Sequence, residues 1–226
     1  MNVIHNLAGD KLSYPINLDI KDKLCVVLGG GHVALRKING LLNAGGKIVV
    51  IAPEICEELQ QLVHDVKIEW KKQNYSIGCL PYGLIFIAAT NDAEVNRMSA
   101  DEATKKHMLT NIITTSPNNA SLFTVPSVVH CGRLMITVST DGLSPALSKC
   151  IRKYLDNQFN ENFAKWLEQL SKIRDEVKTI IKDANTREEF WQNVMSNETF
   201  YLVQNGELNK AEVNIRNALD SYRNKS

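Results

Sequence analysis

Runs of uninterrupted apolar residues alternate with stretches of helical period along the first half of the chain. Lys23-Leu-Cys-Val-Val-Leu28 is a short apolar run that stops abruptly at Gly29-Gly30-Gly31, which reads as a buried strand entering a tight turn. From His32 to Asn43, Val33, Ile38, Leu41 and Leu42 recur near helical spacing, and Ala44-Gly45-Gly46 predicts a glycine stop. A β-branched run, Lys47-Ile-Val-Val-Ile51, follows at once. Strand, helix and strand within about 30 residues form a βαβ unit. The alternation continues with a helix over Glu54–Val63, a strand over Val66–Trp70 and a buried run over Leu84–Ala89. A polar helix over Asp92–Lys106 and a strand over Met108–Ile113 complete it.

The second half reads differently. Residues 114–119 form a loop, and Ser121–Val129 and Leu134–Ser139 are strands with no long helix between them. Ser144-Pro145 supplies an N-cap and a first-turn proline for a helix. From Asn160 the chain is helical. Phe163, Trp166, Leu167, Leu170, Ile173, Val177, Ile180 and Ile181 make one stripe. Thr186-x-x-Glu189 has capping-box spacing ahead of Phe190, Trp191, Val194 and Met195, and a last helix spans Lys210–Tyr222. The expected fold class is α/β: a Rossmann-like doubly wound parallel sheet, then a small α+β segment and a C-terminal helical domain. The expected boundaries are 1–115, 116–152 and 153–226.

Composition narrows the classes of function. The 226 residues are 44% apolar and 23% charged, enough to bury a substantial core. Lys and Arg number 26 against 25 Asp and Glu, a net charge of +1, which removes the case for a general nucleic-acid binder. No transmembrane run and no basic-then-apolar leader is read, so a cytoplasmic protein is expected. Five scattered cysteines (Cys25, Cys56, Cys79, Cys131, Cys150) include no C-x-x-C pair. The histidines show no short ligand spacing, so no metal site is expected.

The candidate chemistry centres on Gly29-x-Gly31-x-x-Ala34, which has G-x-G-x-x-A spacing between strand and helix. In such a turn the first glycine permits the bend, the second admits a pyrophosphate to the backbone, and the small third residue lets helix and strand pack. Candidate cofactor contacts are Gly29, Gly30, Gly31, His32, Val33 and Ala34. Pro53 and Glu54 follow the second strand, with Glu54 as ribose partner, although its position suits the next helix's first turn. No nearby Arg reads a 2′-phosphate, which favours NAD. Thr90 and Asn91 end a strand where ligands bind in such sheets, although Asn91 or Asp92 serves equally well as a helix cap.

With these motifs in view, the chain resembles the precorrin-2 dehydrogenase family of siroheme synthesis, which includes the amino-terminal part of bacterial siroheme synthase. The matching pieces are Tyr14-Pro-Ile-Asn-Leu18, Val27-Leu-Gly-Gly-Gly-His-Val-Ala-Leu-Arg-Lys37 and Ala88-Ala-Thr-Asn-Asp92. Ala120-Ser-Leu-Phe-Thr-Val-Pro-Ser127 and Val138-Ser-Thr-Asp-Gly-Leu-Ser-Pro-Ala146 follow in the same order. The resemblance implies NAD-dependent oxidation of precorrin-2 to sirohydrochlorin and a homodimer built by the middle segment. In some members it implies ferrous-iron insertion as well.

The implied substrate carries many carboxylates, so Arg36, Lys37, Arg133, Lys149, Arg152 and Lys153 are candidate cationic contacts, with Ser127, Thr140 and Ser144 from the matching pieces. Family members commonly carry an Asp just after the strand equivalent to Leu109–Ile113. Here Asn111–Ala120 contains no acid, and Thr114 takes that place. A threonine hydroxyl is no carboxylate base, so Asp141 and His32 join Thr114 as candidate catalytic residues. The missing acid weakens the expectation of iron insertion. Two other readings use the same fingerprint: a non-catalytic NAD(H)-binding redox sensor, and a Rossmann dehydrogenase of another small metabolite.

Overall fold

Leu24–Leu28 (β1) is buried at every position after its first, and a strand covered on both faces needs an apolar residue at each. In the computed structural model, which describes residues 13–113 and 121–223, β1 lies at the centre of a parallel sheet. Its neighbours are β2 (Lys47–Ala52) and β4 (Ile85–Ala88), with Val26 opposite Val49 on one side and Phe86 on the other. With β3 (Glu69–Lys72) and β5 (Leu109–Ile112) the order is β3-β2-β1-β4-β5, every pairing parallel. This is the doubly wound sheet expected.

Successive strand residues serve opposite layers. Cys25, Val27, Ile48, Val50, Ile85 and Ile87 pack with Ala34, Ile38 and Leu41 of α1 (His32–Asn43) and Leu59 of α2 (Glu57–His64). Val26, Val49, Ile51, Phe86 and Ala88 face the other way, onto Ala100 and Ala103 of α3 (Ala93–Lys105). The Cys25 side chain is fully enclosed, and burial pushes its thiol up to about 11.

The starts of α2 and β3 differ from the sequence reading. Helix α2 starts at Glu57, not Glu54, because Cys56 is extended and its N–H donates to the Gly30 carbonyl at 2.8 Å. Strand β3 starts at Glu69, not Val66. The residues before it close α2: Val66 has φ +56, and Lys67 N–H donates to the Leu62 carbonyl. The connection from β3 to β4 has no helix. Tyr75, Cys79 and Leu80 pack there against the α3 layer.

One carboxylate fastens that connection. Glu102 of α3 accepts from the Tyr75 hydroxyl and the Gly78 N–H at 2.9 Å each, and from the Leu80 N–H at 3.3 Å. Lys106 pairs with it at 2.8 Å and lies over the Tyr82 ring. Burial raises the Glu102 carboxyl, but Lys106, Gly78 and Tyr75 outweigh burial and hold it below the usual carboxylate range.

The described residues divide at Thr124–Val125 into two compact units. The second begins with an antiparallel pair, β6 (Ser127–Cys131) and β7 (Leu134–Val138), joined through Gly132 at φ +57. The strand expected from Ser121 starts only at Ser127. Leu122 N–H and the Phe123 carbonyl are instead bonded to Thr110 and Asn111 of β5. Helix α4 (Pro145–Gln158) follows its Ser144 cap, and Leu143, Leu147, Ile151 and Tyr154 stand exposed along that segment.

The aromatic stripe of α5 (Glu161–Ile180) is buried at Phe163, Trp166, Ile173 and Val177. It packs with Phe190 of α6 (Ala184–Val194), Val203 of α7 (Asn197–Gln204) and Ile215 and Leu219 of α8 (Leu208–Arg223). The cap of α6 is Asp183 rather than Thr186. Its carboxylate accepts from both the N–H and the hydroxyl of Thr186 at 2.7 Å, which places Thr186 inside the helix. No described helix is long and apolar enough to cross a membrane.

Candidate functional site

The strand order reverses between β1 and β4, and the loops beyond their carboxyl ends mark where an open α/β sheet binds ligands. The glycine turn lies there, and its three glycines do different work. Gly29 has φ +118, and a Cβ on it would meet the Ala89 carbonyl oxygen at 2.4 Å. A Cβ on Gly30 would meet the Glu54 carbonyl oxygen at 2.0 Å. A Cβ on Gly31 would meet nothing within 4 Å. The first two glycines therefore close the backbone onto its neighbours, and the third keeps space open.

Gly31 is the N-cap of α1 and offers no side-chain bond to the first turn, which also has no acidic residue. The main-chain N–H groups opening that helix need an acceptor, and the helix dipole favours an anionic one. Ala34, fully buried, lets α1 sit close to the sheet, whereas Val33 is exposed. The open space at Gly31 and the uncapped turn fit a dinucleotide diphosphate, and Gly29–Ala34 are the residues that would hold it.

Pro53 and Glu54 form a bend after β2, outside the helix that was expected to contain Glu54. The main chain of Glu54 lies against Gly30, so the acid belongs to the edge of the glycine turn. Thr90 lies just past β4. Its N–H and hydroxyl both donate to Asn96 Oδ1, and Asn96 Nδ2 donates back to the Thr90 carbonyl. Asn96 is buried and was missed by sequence reasoning, since nothing in a polar helix marks one amide as a brace. Asn91 is exposed, and Asp92 is the cap of α3, accepting from Glu94 and Val95.

His32 is exposed, with Nδ1 3.9 Å from Glu58 Oε1. Together with Cys56 these residues bring a nitrogen, a sulfur and a carboxylate oxygen within 4.8 Å of one another, a grouping that no sequence spacing announces. Among the proposed substrate contacts, Arg36 is exposed and Lys37 half-buried on α1. Burial, then the charge of Arg36, lowers the Lys37 ammonium.

The remaining candidates belong to the second unit. Thr140 and Ser144 take part in a hydroxyl network at the start of α4. Ser144 N–H donates to Thr140 Oγ1 at 3.1 Å, and Thr140 and Ser148 hydroxyls lie 3.1 Å apart. Arg152 pairs with Asp156, Ser127 is half-buried, and Asp141 lies in an exposed turn at φ +49. Arg133, Lys149 and Lys153 are exposed. Thr114 lies outside the described residues.

A family model described as "Putative NAD(P)-binding" matches residues 16–127, and one described as "Sirohaem synthase dimerisation region" matches residues 162–219. Siroheme synthase of Photorhabdus laumondii is 30% identical over 206 residues, 91% of this chain and 43% of that protein. Siroheme synthase of Chromobacterium violaceum is 33% identical over 194 residues, 86% of this chain and 41% of that protein. The chain thus spans less than half the length of these relatives. A solved structure titled "SirC, precorrin-2 dehydrogenase" superposes with a TM-score of 0.70 at 26% identity, covering 88% of this chain and 99% of that one.

Proposed function

We propose that this chain, which belongs to the precorrin-2 dehydrogenase and siroheme synthase family, oxidises precorrin-2 to sirohydrochlorin with NAD as hydride acceptor. The observation that carries this reading is the uncapped first turn of α1 beside the open space at Gly31, where a diphosphate would bind.

The nicotinamide supplies the hydride-accepting chemistry; the chain supplies grip, orientation and a place for the proton. The amides of His32, Val33 and Ala34 bind the diphosphate, Glu54 accepts from the ribose hydroxyls, and Thr90, held by Asn96, borders the edge beside β1. Arg36 and Lys37 attract substrate carboxylates from the same unit, with Arg152, Ser127, Thr140 and Ser144 as further proposed contacts. His32, Asp141 and Thr114 compete for the proton, and single variants separate them. The acceptor is the one whose removal lowers kcat about a hundredfold with little change in KM. Residues 111–120 hold no carboxylate to take up pyrrole protons, so the proposed activity is dehydrogenation without iron insertion.

A homodimer is proposed, with segment 116–152 of the three-part division at 115 and 152 as its main contact. The exposed Leu143, Leu147 and Ile151 support that choice. A cytoplasmic setting is proposed from five free cysteines, which suit a reducing compartment.

The test is anaerobic incubation of precorrin-2 with NAD, followed by absorbance. Formation of sirohydrochlorin with matching NADH is expected. NAD binding without any turnover at high enzyme concentration would favour the redox-sensor reading, which the absent acid at 111–120 supports. Turnover of a different small metabolite alone would favour the general Rossmann dehydrogenase.

A further inference from the structure

We propose that His32, Cys56 and Glu58 form a binding site for one borderline divalent transition-metal ion such as zinc. Their ligand atoms lie within 4.8 Å of one another, the only such grouping of three among the described residues. Each comes from a different part of the turn region: His32 is the first residue of α1, Cys56 the cap of α2, and Glu58 the second residue of α2.

The backbone that carries them is fixed. Cys56 N–H donates to the Gly30 carbonyl at 2.8 Å, and Gly30 lies against the Glu54–Ile55 main chain so closely that no Cβ fits. The two helix starts are therefore held together whether or not a metal is bound. The side chains are less constrained. The His32 side chain is 79% exposed and that of Glu58 56% exposed, while the half-buried Cys56 thiol hydrogen-bonds the Glu58 carboxylate.

Tetrahedral zinc bonds of about 2.0–2.3 Å place donor atoms roughly 3.3–3.6 Å apart. The donor atoms, now within 4.8 Å of one another, would have to close by about 1 Å to reach that spacing. A thiolate and a carboxylate cancel the charge of a divalent ion, and neutral imidazole adds none. The mixed nitrogen, sulfur and oxygen set selects zinc or cobalt over magnesium or calcium, which take oxygen ligands. Three protein ligands leave a fourth position open to water or to a phosphate oxygen from the neighbouring turn.

The test is a cobalt titration of the full reduced chain, with no dinucleotide or tetrapyrrole present. One equivalent is expected to bind with a thiolate-to-cobalt charge-transfer band, and zinc is expected to displace it. Cys56→Ser should abolish the band and Cys150→Ser should keep it. His32→Ala and Glu58→Gln should each weaken affinity at least about tenfold. Thermal melting of the metal-free variants confirms that they fold. Survival of the band in Cys56→Ser, or no saturable binding by the wild-type chain, would overturn the proposal. The metal alone is the probe, so this outcome is independent of whether the chain oxidises precorrin-2.

Discussion

Asn96 grips Thr90 on both sides of its peptide. Its Oδ1 accepts from the Thr90 N–H at 3.1 Å and hydroxyl at 2.8 Å, and its Nδ2 donates to the Thr90 carbonyl at 3.0 Å. The chain leaving β4 is thus set by an amide on α3, not by its own sequence. Asn96→Ala strands buried polar groups, and a loss of about 1–3 kcal/mol in chemical denaturation is expected. Calorimetry should also show weaker NAD binding. An unchanged dissociation constant would remove Thr90 from the site.

The three glycines separate fold from ligand. Gly29→Ala and Gly30→Ala collide with backbone at 2.4 and 2.0 Å and should lower the melting temperature. Gly31→Ala meets nothing within 4 Å, so its melting temperature should stay near wild type. Its NAD affinity should nevertheless fall at least about tenfold, because the new methyl occupies the diphosphate's approach. Differential scanning calorimetry beside NAD titration reads both effects.

Glu102 makes part of the stability acid-sensitive. Its carboxyl is lowered in the folded chain, so the stability it contributes is present above the ordinary range of a free glutamate. That stability is lost as pH falls through the lower folded value. Urea midpoints measured between neutral and acid pH should fall steeply in the wild type and less so in Glu102→Gln. At neutral pH the variant should be less stable by about 1–3 kcal/mol, since Lys106 loses its carboxylate partner but still donates to the Leu80 carbonyl.

The exposed row Leu143, Leu147, Ile151 and Tyr154 tests the proposed dimer. Leu147→Asp places a charge in its middle and should shift sedimentation from dimer to monomer at micromolar protein. A dimer of unchanged affinity would move the interface elsewhere, with residues 162–219 as the next region to vary.

Much of this architecture is legible in the sequence. Apolar runs at Leu24–Leu28, Lys47–Ile51 and Leu84–Ala89 mark strands buried on two faces, and Gly29 and Ala34 hold the places their spacing predicts. What escaped depends on distance in sequence. Glu102 binds groups 22 to 27 residues away, so its role cannot be read from its own helix. Gly30 is the unspecified residue of the fingerprint, yet it has the tightest contact of the three glycines, because the chain after β2 returns to it. His32 and Cys56 meet for the same reason. Val66 misled the strand reading because a β-branched residue seldom takes φ +56, and here it closes a helix.

Cys25 has a practical consequence. Sealed in the middle strand, its protonated sulfur cannot react with an alkylating reagent while the sheet is intact, whereas the exposed Cys150 of α4 is open to it. The protein therefore carries its own gauge of unfolding. The pace at which this one sulfur is labelled reports how often the central strand comes free.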